Sequence, residues 1–182
     1  MSKNNGVTRR RLVQGAAWSV PAIAIAAPAM AANCSPQSPC GSVTVGAGYK
    51  VPGESCKKNG YSKGYAFSFT FCNQDTVDDI VVSAVTFTNL AINGQPLTGG
   101  VSGETSFTIA KDDCVTKWYS FSHTTSENAT VTGTVTFTYT RQDGTVTEGP
   151  FDESATINAA VGACYGSTTD TTCSECPPDT GV

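Results

Sequence analysis

The stretch that decides the fold is "GYAFSFTFC", residues 64–72, in which aromatic side chains alternate with small or polar ones. The aromatic positions are Tyr65, Phe67, Phe69 and Phe71, and the positions between them hold Ala66, Ser68 and Thr70. Successive side chains of a β-strand point to opposite faces. The stretch therefore predicts a half-buried antiparallel strand with one face against a core and the other in water.

A second stretch, "ATVTGTVTFTYT" (residues 129–140), alternates in the same way. Its apolar positions are Val131, Val135, Phe137 and Tyr139, and Thr132, Thr134, Thr136, Thr138 and Thr140 fill the other face. Further strands are predicted at residues 42–47, 80–88, 105–110, 115–123, 145–148 and 154–161. Turn signals separate them at residues 73–75, 93–94, 99–100, 112–113 and 143–144. Asp143-Gly144 favours a tight hairpin.

Seven or eight short strands with turns about every ten residues predict an all-β fold, an antiparallel two-layer β-sandwich. The pattern resembles immunoglobulin-like (Ig-like) domains in architecture. It does not resemble the antibody family itself, because Trp118 comes only four positions after Cys114 and the Cys…Trp…Cys spacing is missing.

The first 31 residues have the composition of a cleavable export signal. A basic start is followed by a modest apolar segment and by Ala29-Met30-Ala31, so cleavage is predicted between Ala31 and Ala32. Residues 12–32 carry no charge and are long enough for a membrane anchor. Gly15, Pro21 and Pro28 interrupt them, which favours removal over stable membrane insertion.

The segment Thr8-Arg9-Arg10-Arg11-Leu12-Val13 resembles a twin-arginine (Tat) motif, with Arg9 and Arg10 as the paired arginines. Residues 1–32 look like the twin-arginine signals of secreted proteins from high-GC Gram-positive bacteria. The resemblance implies export in a folded state, with the Tat translocase and signal peptidase as partners, and an extracellular protein. The alternative is an ordinary Sec signal. Lipidation of Cys34 is disfavoured because Asn33 precedes it.

The charge changes once the signal is set aside. Residues 1–31 hold four of the eleven basic residues and none of the fifteen acidic ones, so seven basic and fifteen acidic residues remain, a net charge of −8. Such a surface repels phosphate backbones, which argues against nucleic-acid binding. Residues 32–165 are predicted to form the sandwich and residues 166–182 a Cys-, Pro- and Thr-rich tail, a loose extension tied down by its cysteines.

All eight cysteines follow the predicted signal: Cys34, Cys40, Cys56, Cys72, Cys114, Cys164, Cys173 and Cys176. An even number in an exported chain predicts disulfides. A Cys72–Cys114 bridge between two strands and a Cys34–Cys40 loop are the preferred pairs. Cys173 and Cys176 have C-x-x-C spacing, but Pro177 and Pro178 follow instead of a helix. A structural bridge is favoured there, either local, to Cys164 or to the N-terminal cysteines, over a redox site.

No catalytic residue, cofactor site or metal site is predicted. His123 is the only histidine, and no nucleophile motif surrounds it. Acidic residues in two turns leave a calcium site open as an alternative: Asp75, Asp78, Asp79, Asp112 and Asp113. The threonine row of residues 130–140 invites an ice-binding or sugar-binding interpretation. One strand of threonine is not a flat array, however, and threonine is a good strand former on a solvated face, which is the favoured interpretation.

"PPDTG" at residues 177–181 is similar to a cell-wall sorting signal. Pro177 replaces its leucine and only Val182 follows, so release is predicted. The favoured hypothesis is an exported non-enzymatic module that binds a protein or glycan partner or contributes to the cell-surface layer through sheet edges or loops. The alternative is a small secreted hydrolase-type enzyme with a site of loop carboxylates and hydroxyls.

Overall fold

A computed structural model describes residues 40–53, 56–143, 146–167, 173 and 175–181 of the chain. The predicted signal segment, with Arg9, Arg10, Ala31 and Ala32, lies outside the described residues, as does Cys34. None of the described residues belongs to a helix long and apolar enough to cross a bilayer.

The described residues form nine strands. They are β1 (Gly41–Val51), β2 (Gly64–Asn73), β3 (Ile80–Ile92), β4 (Gln95–Pro96), β5 (Val101–Ser102), β6 (Phe107–Ile109), β7 (Asp113–Ser122), β8 (Ala129–Asp143) and β9 (Val146–Val161). All the pairings between these strands are antiparallel. One sheet has the order β1-β2-β7-β5 and the other β4-β3-β8-β9, with β6 also paired to β3.

The two sheets pack face to face, which confirms the predicted two-layer β-sandwich. The core-facing side chains of β2 are Tyr65, Phe67, Phe69 and Phe71, all at most 1% exposed, and they pack against β8 residues such as Val135 and Phe137. Burying each large apolar side chain contributes about 1.5–3 kcal/mol relative to leaving it exposed. The aromatic face read from the sequence is therefore the centre of the core.

The C-terminal hairpin corrects one prediction. Residues 145–148 and 154–161 were predicted as two strands, but Val146–Val161 is a single strand that pairs with β8. The register shifts between Tyr139 and Arg141, which accommodates Gly149 and Pro150 in a bulge. Proline has no N–H to donate, and β9 is the last strand of its sheet, where that loss is tolerated. Asp143 lies opposite Val146, as the hairpin prediction requires.

The described part of the tail is not loose. The Tyr61 hydroxyl donates to the Pro178 carbonyl at 2.6 Å. Thr180 is 2% exposed; its N–H donates to the Asn59 carbonyl at 3.2 Å, and its own carbonyl accepts from the Glu104 N–H at 3.1 Å. These hydrogen bonds hold Pro178 and Thr180 against the protein, so the sorting-like sequence is part of the folded surface.

Three disulfides join the described cysteines: Cys56–Cys176, Cys72–Cys114 and Cys164–Cys173. The predicted Cys72–Cys114 bridge is confirmed, and it joins directly opposed positions of β2 and β7. Cys40 is also disulfide-bonded, but Cys34 is outside the described residues, so the Cys34–Cys40 loop stays a prediction. The bridges indicate a compartment outside the reducing cytoplasm.

Candidate functional site

A cleft of about 460 Å³ lies at the end of the sandwich where β2 begins and β7 ends. Its volume is within the range of small-ligand sites. Three chain segments that are distant in sequence line it: Lys57 and Tyr61–Lys63, then Thr98 and Gly99, then Ser122, His123 and Thr124.

Close backbone contacts hold these segments together. The His123 N–H donates to the Lys63 carbonyl at 2.8 Å, and the Ser122 N–H donates to the Gly100 carbonyl at 2.9 Å. A Cβ atom at Gly99 would lie 1.9 Å from the Ser122 carbonyl oxygen, so only glycine permits this approach. The floor of the cleft is thus fixed by main-chain geometry rather than by mobile side chains.

Hydroxyl groups dominate the polar lining. The Ser62 and Ser122 hydroxyls are in direct hydrogen-bond contact, and Thr98 and Thr124 are exposed at the rim. Tyr61 supplies an apolar wall; it is 1% exposed, and burial raises its pKa well above the ordinary value of 10.0. Its hydroxyl therefore stays protonated and keeps its hydrogen bond to the tail.

The charge of the cleft is opposite to that of the chain. Lys57 and Lys63 line it, and none of the described residues of its lining is an aspartate or a glutamate. These lysines belong to residues 57–63, "KKNGYSK", which hold three of the seven basic residues that follow residue 31. This short basic run is the sequence signal that could have located the site, and none of the predictions made from the sequence used it.

His123 lines the cleft next to Ser122, and its described polar side-chain contacts are with Thr125. Its Nδ1 lies 3.2 Å from the Thr125 backbone nitrogen and 3.1 Å from the Thr125 Oγ1. A triad histidine instead donates Nδ1–H to a carboxylate and accepts from the nucleophile at Nε2. Among the described contacts of His123 there is no carboxylate.

The structure places the five aspartates of the calcium hypothesis at two neighbouring turns. The Asp112 N–H donates to the Asp75 carbonyl at 2.7 Å, so the turns do converge. The Asp75 carboxylate, however, pairs with Arg141 at 3.0 Å, and the carboxylates of Asp79 and Asp113 accept backbone N–H groups. Within the described residues, no group of three or more His, Cys, Asp or Glu side chains is placed to hold a metal ion.

The C-x-x-C pair is divided between two bridges. Cys173 is bonded to Cys164 and Cys176 to Cys56. A dithiol redox site needs the two cysteines to bond to each other. Of the alternatives left open by the sequence, a structural bridge to Cys164 is the one observed for Cys173.

The threonine row of β8 continues onto both neighbouring strands. Cross-strand rows run through Thr88, Thr134 and Thr156 and through Thr86, Thr136 and Ser154. Some hydroxyls are used within the sheet, since Thr86 Oγ1 donates to the Thr136 carbonyl and Thr138 Oγ1 to Asp152. This face is a hydroxyl-rich outer surface of the sheet, and Thr86 also lines a cavity of about 310 Å³ beside it.

The fold and the cleft define a disulfide-stabilised antiparallel β-sandwich with a basic, hydroxyl-lined cleft at one end. No protein-family model, no curated protein and no solved structure matches the chain.

Proposed function

We propose that this protein is an exported, extracellular, non-enzymatic binding module with Ig-like architecture, and that its cleft binds a glycan at the cell surface. The observation that carries the proposal is the pre-formed cleft, in which Ser62, Thr98, Ser122 and Thr124 supply hydroxyls around the Tyr61 wall. Hydroxyl side chains both donate and accept hydrogen bonds, as sugar hydroxyls do.

Export is supported by the sequence of residues 1–31 and by the disulfides. The Tat translocase and signal peptidase are the proposed export partners, and the signal peptidase is proposed to cleave after Ala31. The three disulfides between described cysteines suit an oxidising compartment. The burial of Thr180 supports release rather than covalent anchoring, because a transpeptidase needs an extended, accessible Thr-Gly bond.

A specific observation favours the enzyme alternative as a second candidate: Ser62, Ser122 and His123 line one cleft. The two serines contact each other, and His123 Nδ1 contacts Thr125. A secreted hydrolase of this kind would be labelled covalently at Ser62 or Ser122 by a fluorophosphonate probe. The binding-module proposal expects no label at either serine.

The test of the binding proposal uses full-length protein secreted by a host that has the twin-arginine pathway. Pull-down with purified cell-wall polysaccharide is expected to retain the protein, and Thr124→Trp is expected to abolish retention because it fills the cleft. Thr108→Trp, an exposed threonine of β6, is the matched control and should bind normally. Retention that is the same for both variants, or no retention of the unmodified protein, would contradict the proposal.

A further inference from the structure

The outer edge of β3 has a gap in its pairing. On the side of β3 that faces away from β8, β6 pairs with residues 80–82 and β4 with residues 91–92. None of the described strands pairs with that side of residues 84–88, "AVTFT". The register with β8 shifts just before and just after this segment. A short, regular piece of strand therefore presents main-chain groups that do not bond to β8.

This piece of β3 lacks the features that protect exposed strand edges. Natural edge strands carry charged side chains or proline, which oppose the addition of another strand. The last strand of the same sheet, β9, has Glu148, Pro150 and Asp152. Residues 84–88 have no charged side chain and no proline. The edge of β3 is thus suited to pairing with a further strand.

A cavity of about 310 Å³, which we call the edge slot, lies beside this edge. Residues 85–87 of β3 line one side of it. Since successive strand residues point to opposite faces, a cavity lined by three in a row abuts the edge of the backbone itself. The opposite wall is formed by alternate residues of segment 101–105, namely Val101, Gly103 and Thr105.

The edge slot reaches the aromatic core. Tyr119 belongs to its lining and is 1% exposed, and the Tyr119 ring packs edge-on against Phe87 with centroids 5.0 Å apart. None of the described lining residues is charged. The slot therefore combines an unpaired strand edge with an apolar space that an uncharged side chain can enter.

We infer that the edge slot binds an extended, uncharged peptide segment of a partner protein, which adds a strand to β3 opposite residues 84–88. Main-chain groups of the segment pair with those of β3, and a bulky apolar side chain enters the slot towards Tyr119. The alternate side chains lie on the outer face beside Thr86 and Thr88, where hydroxyl and amide groups fit.

The wall at residues 101–105 favours a single extended chain over a second folded copy. A second copy would have to bring a whole sheet edge between this wall and β3. A small apolar molecule would fill the slot but leave the main-chain groups of residues 84–88 to water. The edge slot shares none of its described lining residues with the proposed glycan cleft, so this inference does not depend on that function.

A displayed library of short random peptides, panned against the full-length secreted protein, tests this inference. We expect binders in which a bulky apolar residue alternates with hydroxyl or amide residues. Thr105→Trp fills the slot and should weaken their binding about tenfold or more, because one apolar side chain can no longer be buried. Ser106→Trp is the matched control, because Ser106 is an exposed neighbour outside the lining. Thr124→Trp, which fills the glycan cleft, should also bind normally.

Hydrogen exchange locates the bound peptide without any substitution. In the unbound protein, the amides of residues 84–88 that do not bond to β8 should exchange rapidly, and binding should protect them. Slow exchange of these amides before peptide is added would mean that another segment or a second copy already pairs with this edge, and it would overturn the inference. The absence of binders, protection confined to other residues, or equal weakening by Thr105→Trp and Ser106→Trp would also overturn it.

Discussion

The Arg141 guanidinium donates through Nη1 to Asp75 Oδ2 at 3.0 Å, and both side chains are largely buried. Arg141 belongs to β8, and Asp75 belongs to the turn between β2 and β3, so the pair joins the two sheets at one end of the sandwich. Burial alone would lower the pKa of Arg141, but its hydrogen bonds and charge contacts with Glu148 and Asp75 outweigh that effect and raise it. Arg141 therefore remains charged inside the protein.

Arg141→Gln is expected to lower the free energy of unfolding by about 3–5 kcal/mol, because it leaves the buried Asp75 carboxylate without its cation. Urea denaturation followed by circular dichroism measures this loss. Lys117→Gln breaks a half-exposed pair with Glu104 and serves as control, with a cost of about 1 kcal/mol or less. Similar losses in the two variants would show that the buried pair has no special role.

The core could be predicted because the local pattern and the packing agree. Phe69 has polar neighbours at Ser68 and Thr70, and the alternation alone assigned it to the buried face, where it is 0% exposed. The length of β9 could not be predicted in this way, because Gly149 and Pro150 read as strand breakers. Their tolerance depends on a bulge at an edge strand, which is a property of the assembled sheet.

Phe69→Ala is expected to destabilise the protein by about 3–5 kcal/mol through lost burial and the cavity left behind. Phe69 packs edge-on against Phe87 and Tyr119, with ring centroids 5.4 and 5.6 Å away. Thr44→Ala, at an exposed position of β1, is the control and should change stability by about 0.5 kcal/mol or less. Urea denaturation measures both changes. Midpoints that fall equally in the two variants would refute the assignment of Phe69 to the buried face and of Thr44 to the exposed face.

The cleft could not be predicted from the sequence, and the reason is physical. Lys63, Thr98 and His123 are brought together only by the pairing of β2 with β7 and by the loop that precedes β5. No local periodicity encodes such long-range contacts. The basic run at residues 57–63 in an acidic chain was the available signal, and it locates one wall of the cleft without its floor.

The Cys56–Cys176 bridge is expected to hold the tail against Trp118, which is the only tryptophan after residue 31. The bridge closes a loop with a sequence separation of 120, for which restriction of the unfolded chain predicts about 4–5 kcal/mol of stabilisation. The variant Cys56→Ala/Cys176→Ala should therefore be less stable, and its Trp118 fluorescence should shift to the red. Cys164→Ala/Cys173→Ala removes a separation of only 9 and should cost about 2–3 kcal/mol. An unchanged Trp118 spectrum in the first variant would show that the tail docks without its bridge.

Glu153 gives the sandwich a pH dependence whose sign can be worked out. It lies opposite the buried Phe137 in the pairing of β8 with β9, and burial raises the pKa of its carboxyl above the ordinary value of 4.5. Between the unfolded and folded pKa values the native state binds more protons than the unfolded state, so stability falls as pH rises through that window. Glu153→Gln removes the ionisation, and it is expected to be more stable than the unmodified protein at pH 7 and equally stable near pH 3.

Thermal unfolding across pH 3–8 measures the difference between the two curves. The control is Asp152→Asn, because Asp152 is the exposed neighbour on the opposite face of β9. Its stability should not rise above that of the unmodified protein at pH values above the pKa of Glu153. A gain at pH 3 as large as that at pH 7 would mean that the Glu153→Gln substitution acts through packing instead of charge. In that case the burial of the Glu153 carboxylate opposite Phe137 would not lower the stability of the native state through its charge.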